Sequence, residues 1–223
     1  HRVHGFIQPT FLQHPPAGVR VAAHRTQRLV QLMRKARRHL TDRAQTRRVH
    51  QFHLTLLAQN VTGYKNLMKL SSASHLEGFY YKPRMDRELL AAHSEGIIAL
   101  SGCPSGELMS ALGEGREADA EATARWYSEV FPERYFLEIQ EHGQEQFSRL
   151  NRPVVELGKR LDLPVVVTND SHYTRPEQHH PHEVLLCIGT NATMQDPNRF
   201  KLDGNTFYLR SEEEMRGLFP ELP

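Results

Sequence analysis

Two stretches of this sequence put metal-type donors where a strand should end. In Pro164-Val-Val-Val-Thr168, a β-branched run leads straight into Asn169-Asp170-Ser171-His172. Residues i and i+2 of an extended chain lie on the same side of the backbone, so Asp170 and His172 could both reach one ion. In Ile97-Ile-Ala-Leu100, a second apolar run leads through Ser101-Gly102 to Cys103. Carboxylate, imidazole and thiolate are all good ligands for zinc or a similar borderline metal. Each residue also has a plainer reading. A lone cysteine is commonly a small buried hydrophobe, and a lone aspartate an N-cap or Asx turn. From spacing alone, His53, in or at the start of a third apolar run, reads as a hydrogen-bonded core histidine rather than a ligand. Glu138 and His142, near the end of Tyr135-Phe-Leu-Glu-Ile139, either line the same mouth or sit in a solvated loop. His179-His-Pro-His182 looks like a metal-binding cluster, but beside a proline it reads as an exposed helix entry. No Gly-x-Ser-x-Gly elbow is present, and Cys103 has no helix-borne histidine partner that would argue for thiol catalysis. Several such donors converging at one mouth would favour metal-assisted hydrolysis of a phosphate ester, in which close ions hold the attacking water and the leaving oxygen. Four ligands would hold roughly one zinc ion.

The elements that must position these residues are legible from periodicity. Strands are expected over 52–58, 97–100, 135–139 and 164–168. Helices are expected over 63–74, 107–112, 116–131, 147–161 and 182–188. The helix at 63–74 should be apolar along Tyr64, Leu67, Met68 and Leu70, and Pro153 should sit in a first turn or mark an early kink. Phe207-Tyr-Leu209 reads as a brief extended piece, and Ser211 with Glu214 as a capping box opening a last helix. Strands alternating with helices, and nearly continuous apolar runs, predict a parallel α/β sheet covered on both faces, as a barrel or doubly wound. Functional groups of such folds gather where strands end. No P-loop or Gly-x-Gly-x-x-Gly follows a strand, so nucleotide binding of those kinds has no local support.

The chain has 223 residues, 39% apolar and 24% charged, enough to bury the core of one domain. Two cysteines make no disulfide framework, and no run reaches the length of a membrane span, so a cytoplasmic setting and no membrane partner are expected. The net charge of +2 hides a split: residues 1–50 carry eleven basic side chains against Asp42, a charge of +10, and residues 51–223 carry −8. Thr26 to Leu40 reads as a basic amphipathic helix with Leu29, Met33, Ala36 and Leu40 on one face. It is either a solvated surface helix or a phosphate-binding arm. No aromatic residue interleaves with its arginines.

Several runs carry a resemblance. They are His53-Leu-Thr-Leu-Leu-Ala-Gln-Asn60, Gly63-Tyr-Lys-Asn-Leu-Met-Lys-Leu70 and His75-Leu-Glu-Gly-Phe-Tyr-Tyr-Lys-Pro-Arg84, followed by His93-Ser-Glu-Gly-Ile-Ile-Ala-Leu-Ser-Gly-Cys103 and Tyr135-Phe-Leu-Glu-Ile-Gln-Glu-His-Gly143. Val167-Thr-Asn-Asp-Ser-His-Tyr173, His182-Glu-Val-Leu-Leu-Cys-Ile188 and Phe207-Tyr-Leu-Arg-Ser-Glu-Glu-Glu-Met215 continue the series. In order and spacing, residues 51–223 resemble the PHP (polymerase and histidinol phosphatase) domain of bacterial DNA polymerase III alpha subunits. The resemblance implies a distorted (β/α)7 PHP barrel holding a cluster of divalent zinc or manganese ions. It implies 3′–5′ exonuclease activity in many members and a structural platform in others, with magnesium serving polymerisation in the intact protein. His53, Cys103, Asp170 and His172 stand where the family has metal ligands, which raises His53 above the core reading.

The start of the chain departs from the pattern. The family opens with a strand carrying His-x-His and a second strand ending in Asp-His. Here only His1, in His1-Arg-Val-His-Gly-Phe-Ile-Gln8, stands near the histidine of that pair. Ala17-Gly-Val-Arg20 keeps a family step, but Thr26 lies near a position where the family has a ligand glutamate. The expectation is therefore a barrel incomplete at its N-terminus, with residues 1–50 a divergent basic segment, residues 51–223 the PHP domain, and about half of the ligand set missing. The function expected is that of a fragment of a replicative polymerase subunit, with DNA and other polymerase subunits as partners. The alternatives are a stand-alone PHP phosphoesterase and a non-catalytic scaffold.

Overall fold

The computed structural model describes residues 52–220. The expectations placed on the basic helix Thr26–Leu40 and on His1 lie outside the described residues.

Four strands make one sheet: β1 (Thr55–Ala58), β2 (Ile97–Leu100), β3 (Tyr135–Gln140) and β4 (Val165–Thr168), hydrogen-bonded in that order. The helices are α1 (Val61–Leu76), α2 (Arg87–Ala92), α3 (Glu107–Gly113), α4 (Glu117–Val130), α5 (Glu145–Leu161), α6 (His179–Thr190) and α7 (Glu212–Gly217), with a 3-10 turn at Pro176–Gln178. The described architecture is mixed α/β.

Strands β2, β3 and β4 run parallel, as their apolar composition predicts. The β1–β2 pair is antiparallel, contrary to the expectation of a wholly parallel sheet. The reason lies in the connection. Two helices separate these strands, and the chain returns to the end of the sheet that it left. Ala58 faces Ile97, and the Gln59 amide donates to the Gly96 carbonyl at 2.8 Å. That closure depends on glycine. Gly96 has φ +68°, and a Cβ on Gly63 would collide with the Gly96 carbonyl oxygen. Asn60 completes the junction by accepting the Gly63 amide at 3.0 Å as the N-cap of α1.

The core gathers around β2 and β3, where Ile97, Ala99, Leu137 and Ile139 have no exposed surface and α3, α4 and α5 pack over them. Helix α1 lays down an unexpected face. Its buried residues are Gly63, Asn66, Leu70 and Ser74, spaced i, i+3, i+7 and i+11, whereas Tyr64 and Met68 point to solvent. Gly63, at the start of this stripe, lets the helix approach the β1–β2 junction closely, which a side chain there would prevent. Helix α2, capped by Asp86 accepting from the Leu89 amide at 2.8 Å, was not visible in the periodicity because it is only six residues long. Pro153 falls inside α5 and not in its first turn, since that helix begins at Glu145.

Candidate functional site

Glu138 occupies the middle of β3 and is 4% exposed, so the solvated-loop reading is overturned. Its carboxylate gathers donors from every strand region. One oxygen accepts from the Thr168 hydroxyl of β4 at 2.5 Å and from Gln140 Nε2 at 3.3 Å. The other accepts from the Gly102 amide beyond β2 at 3.2 Å and from the Thr55 hydroxyl of β1 at 3.5 Å. Ser101 Oγ in turn accepts the Glu138 amide at 2.8 Å. Burial raises the Glu138 pKa above the ordinary carboxylate value, and the hydrogen bonds partly offset it.

Where this hydrogen-bonded layer ends, the chain turns toward the predicted donors. Gly102, at φ +87°, lies against the His53 carbonyl with no room for a Cβ, and the His53 amide donates to the Ser105 carbonyl at 3.1 Å. This brackets His53 to the loop after β2. His53 is exposed and precedes β1 rather than lying within it, so it is not a core histidine. Its Nδ1 stands 3.7 Å from Cys103 Sγ. Two predicted donors separated by fifty positions thus touch. Cys103 is partly buried. Burial above all, with the negative charges of Asp170 and Glu138, raises its pKa and keeps it a thiol.

The segment after β4 is held by a second clamp. Asn169 Nδ2 donates to the carbonyls of Thr206 and Tyr208 at 3.0 and 2.6 Å. The His172 amide donates to the Phe207 carbonyl at 2.8 Å, and Tyr173 bridges to Tyr208. The extended piece foreseen at Phe207–Leu209 is therefore the strap that fixes Asp170 and His172. Asp170 itself has φ +45°, so this stretch is a turn and not the extended chain that the i, i+2 argument assumed. His172 Nδ1 lies 2.6 Å from the Asp170 carbonyl oxygen.

Around this strap the imidazoles collect. His142, 5% exposed, stacks on Phe207 at 4.3 Å between ring centres and shares Nδ1 with the Thr206 hydroxyl at 3.1 Å. Its Nε2 is buried and has no hydrogen-bond partner. Burial lowers its pKa to about 4, so it is neutral at pH 7; Asp170 opposes that shift and Arg210 reinforces it. His182 lies 5.7 Å from His172 between ring centres, so one member of the His179–His182 cluster does face a predicted donor. The helix entry itself begins three residues earlier than expected, at His179. His182 and Arg210 are the neighbours that sequence reasoning did not bring here. Their approach depends on how residues 206–210 and α6 meet the segment after β4, for which no spacing rule exists.

Of the predicted donors, His53 and Cys103 meet through their side chains, whereas His172 meets the backbone carbonyl of Asp170, and the Asp170 charge acts on Cys103, Glu138 and His142. Among the described residues no three His, Cys, Asp or Glu side chains are grouped closely enough to hold a metal ion. The donor types suit zinc or manganese, but their grouping does not by itself build a centre.

The PHP domain family model matches residues 15–142. DNA polymerase III subunit alpha of Treponema pallidum is 49% identical over 173 residues, covering 77% of this chain and 15% of that protein. The corresponding subunit of Mycobacterium tuberculosis is 47% identical over 171 residues, with 76% and 14% covered. That of Thermus aquaticus is 45% identical over 170 residues, again with 76% and 14% covered. The chain therefore spans about one seventh of the length of these relatives.

Proposed function

Because the chain belongs to the PHP domain family, we propose that it acts in DNA replication as the PHP module of a DNA polymerase III alpha subunit. Residues 51–223 form the main part of the domain, and the divergent basic segment 1–50, which the family match enters at residue 15, is a remnant of its first barrel strands. The described strands correspond to part of a distorted (β/α)7 barrel whose mouth is the end of the sheet carrying Cys103, Asp170 and His172. Its partners are DNA and the other subunits of the replicative polymerase.

His53, Cys103, Asp170 and His172 are the remaining part of a site that in a complete form binds divalent cations, zinc or manganese, and supports phosphoester hydrolysis. The observation that carries this reading is the 3.7 Å contact between His53 and Cys103, two donor types brought together across fifty residues. The departures of residues 1–50 from the family pattern, with no His-x-His near the start and Thr26 near the position of a ligand glutamate, support an incomplete site. Metal analysis of the purified chain tests it. Less than one equivalent of zinc or manganese per chain is expected, since roughly one zinc needs about four convergent ligands. Two or more equivalents, lost on His172→Ala, would overturn the incomplete site and favour the nuclease.

A further inference from the structure

The loop that joins α1 to α2 presents three consecutive aromatic rings to solvent: Phe79 is 59% exposed, Tyr80 63% and Tyr81 83%. A folding chain ordinarily hides such rings, because each brings a large apolar area to a core. Looseness does not explain their exposure, since the loop is braced from within. A Cβ on Gly78 would collide with the Arg84 carbonyl oxygen, so the two ends of the loop are in contact. The Tyr80 amide donates to the Lys82 carbonyl at 3.1 Å, and the Arg84 guanidinium donates to the Tyr80 carbonyl at 2.8 Å. That guanidinium also lies 5.0 Å from the centre of the Tyr80 ring, and Tyr81 meets Tyr80 edge-on at 4.7 Å. Tyr81 holds φ +59°, a left-handed conformation that a bulky residue adopts at a cost. The turn thus pays for a conformation that turns its most exposed ring outward.

The loop is less acidic than the domain that carries it. Residues 77–86 set Lys82 and Arg84 against Glu77 and Asp86, a net charge of zero, whereas residues 51–223 as a whole carry −8. Lys82 is exposed at the tip between the rings and Arg84. Aromatic faces interleaved with cations are the chemistry that recognises unpaired bases and their phosphates: rings stack on bases of any sequence while lysine and arginine follow the backbone. A duplex keeps its bases stacked on one another and offers these rings nothing.

We propose that the Phe79–Arg84 loop is a binding site for single-stranded nucleic acid, with Tyr81 and Phe79 as stacking platforms and Lys82 and Arg84 as phosphate contacts. The site adds to the function proposed above and rests on the loop alone, so its success or failure is independent of the metal content of the mouth.

The test is a fluorescence-anisotropy titration of the whole chain with a labelled oligothymidylate of about 20 nucleotides, longer than the sites of ~4–16 nucleotides common for such surfaces. Tyr81→Gly removes the ring and suits the positive φ, so it keeps the fold, as an unchanged thermal midpoint should show. It is expected to weaken binding about five- to a hundredfold, while Tyr81→Phe binds as the unsubstituted chain does. Lys82→Ala should reduce the slope of log affinity against log salt by about 0.7, the value for one single-strand phosphate contact. The basic residues 1–50 attract any polyanion, so a duplex of equal length is the control, and it should be insensitive to Tyr81→Gly. Binding unchanged within twofold by Tyr81→Gly, or an equal loss with the duplex, would overturn the proposal. So would binding to phosphatidylserine vesicles that Tyr81→Gly abolishes while oligothymidylate binding persists, which would make the ligand a lipid surface.

Discussion

His142 shows how a residue's surroundings fix its chemistry. Phe207 stacks on one side at 4.3 Å and Phe147 meets it edge-on at 5.0 Å, leaving the imidazole little water to stabilise a charge. Its pKa falls from 6.5 to about 4, chiefly through burial. The unfolded chain takes up this proton first as the pH drops. His142 therefore costs the fold nothing above pH 6.5, weakens it as the pH falls below that value, and reaches its full effect near pH 4. The loss is on the order of 2–3 kcal/mol. His142→Phe fills a similar volume and cannot titrate. Urea unfolding at about pH 7 and about pH 4 should show that loss in the unsubstituted chain and a smaller one in the variant. An equal loss in both would assign the acid sensitivity to other groups. The sequence left His142 and Glu138 each with two readings, loop or mouth. Composition cannot decide between them, because burial is a property of neighbours distant along the chain.

Among the elements, the four strands are joined by more than their ladders. Thr55, Gly102, Gln140 and Thr168 all donate to the one carboxylate of Glu138, so this side chain sets where the strand ends lie relative to one another. Glu138→Leu would leave the buried Gly102 amide and the Gln140 amide without that acceptor. It is expected to destabilise the domain by about 2–4 kcal/mol, read from the shift of the denaturant midpoint. It should also disturb the 3.7 Å approach of His53 to Cys103, since Gly102 adjoins Cys103 in the chain and packs against the His53 carbonyl. A midpoint shift under about 0.5 kcal/mol, the scale of an ordinary surface change, would show that the carboxylate does not carry the junction. Strand positions were readable because β-branched and apolar runs of the right length are local facts. The reversed direction of β1 was not, because it follows from a two-helix connection closing on Gly63 and Gly96.

For the whole molecule, the chain matches about one seventh of its polymerase relatives. Nucleotidyl transfer needs a site that grips primer, template and metal-bound nucleotide together, and the match of this chain to its relatives covers 14–15% of their length. Incubated with primed template, nucleotides and magnesium, the chain is expected to give no extended primer on a denaturing gel; an extended primer would place a polymerising site within these residues. No described helix is long and apolar enough to cross a membrane. The sequence by itself determined the order of the four strands and of the helices other than α2, the opposite charges of its two parts, and which side chains have ligand chemistry, because each depends only on residue type and near spacing. Its motif runs also pointed to the family. Only the tertiary structure decided that His53 meets Cys103, that Asp170 takes a left-handed φ, that His142 stacks on Phe207 and that His182 meets His172. The first depends on the backbone bond from His53 to Ser105 and the others on how residues 206–210 and α6 meet the segment after β4; contacts between distant segments leave no periodic trace in the chain that makes them.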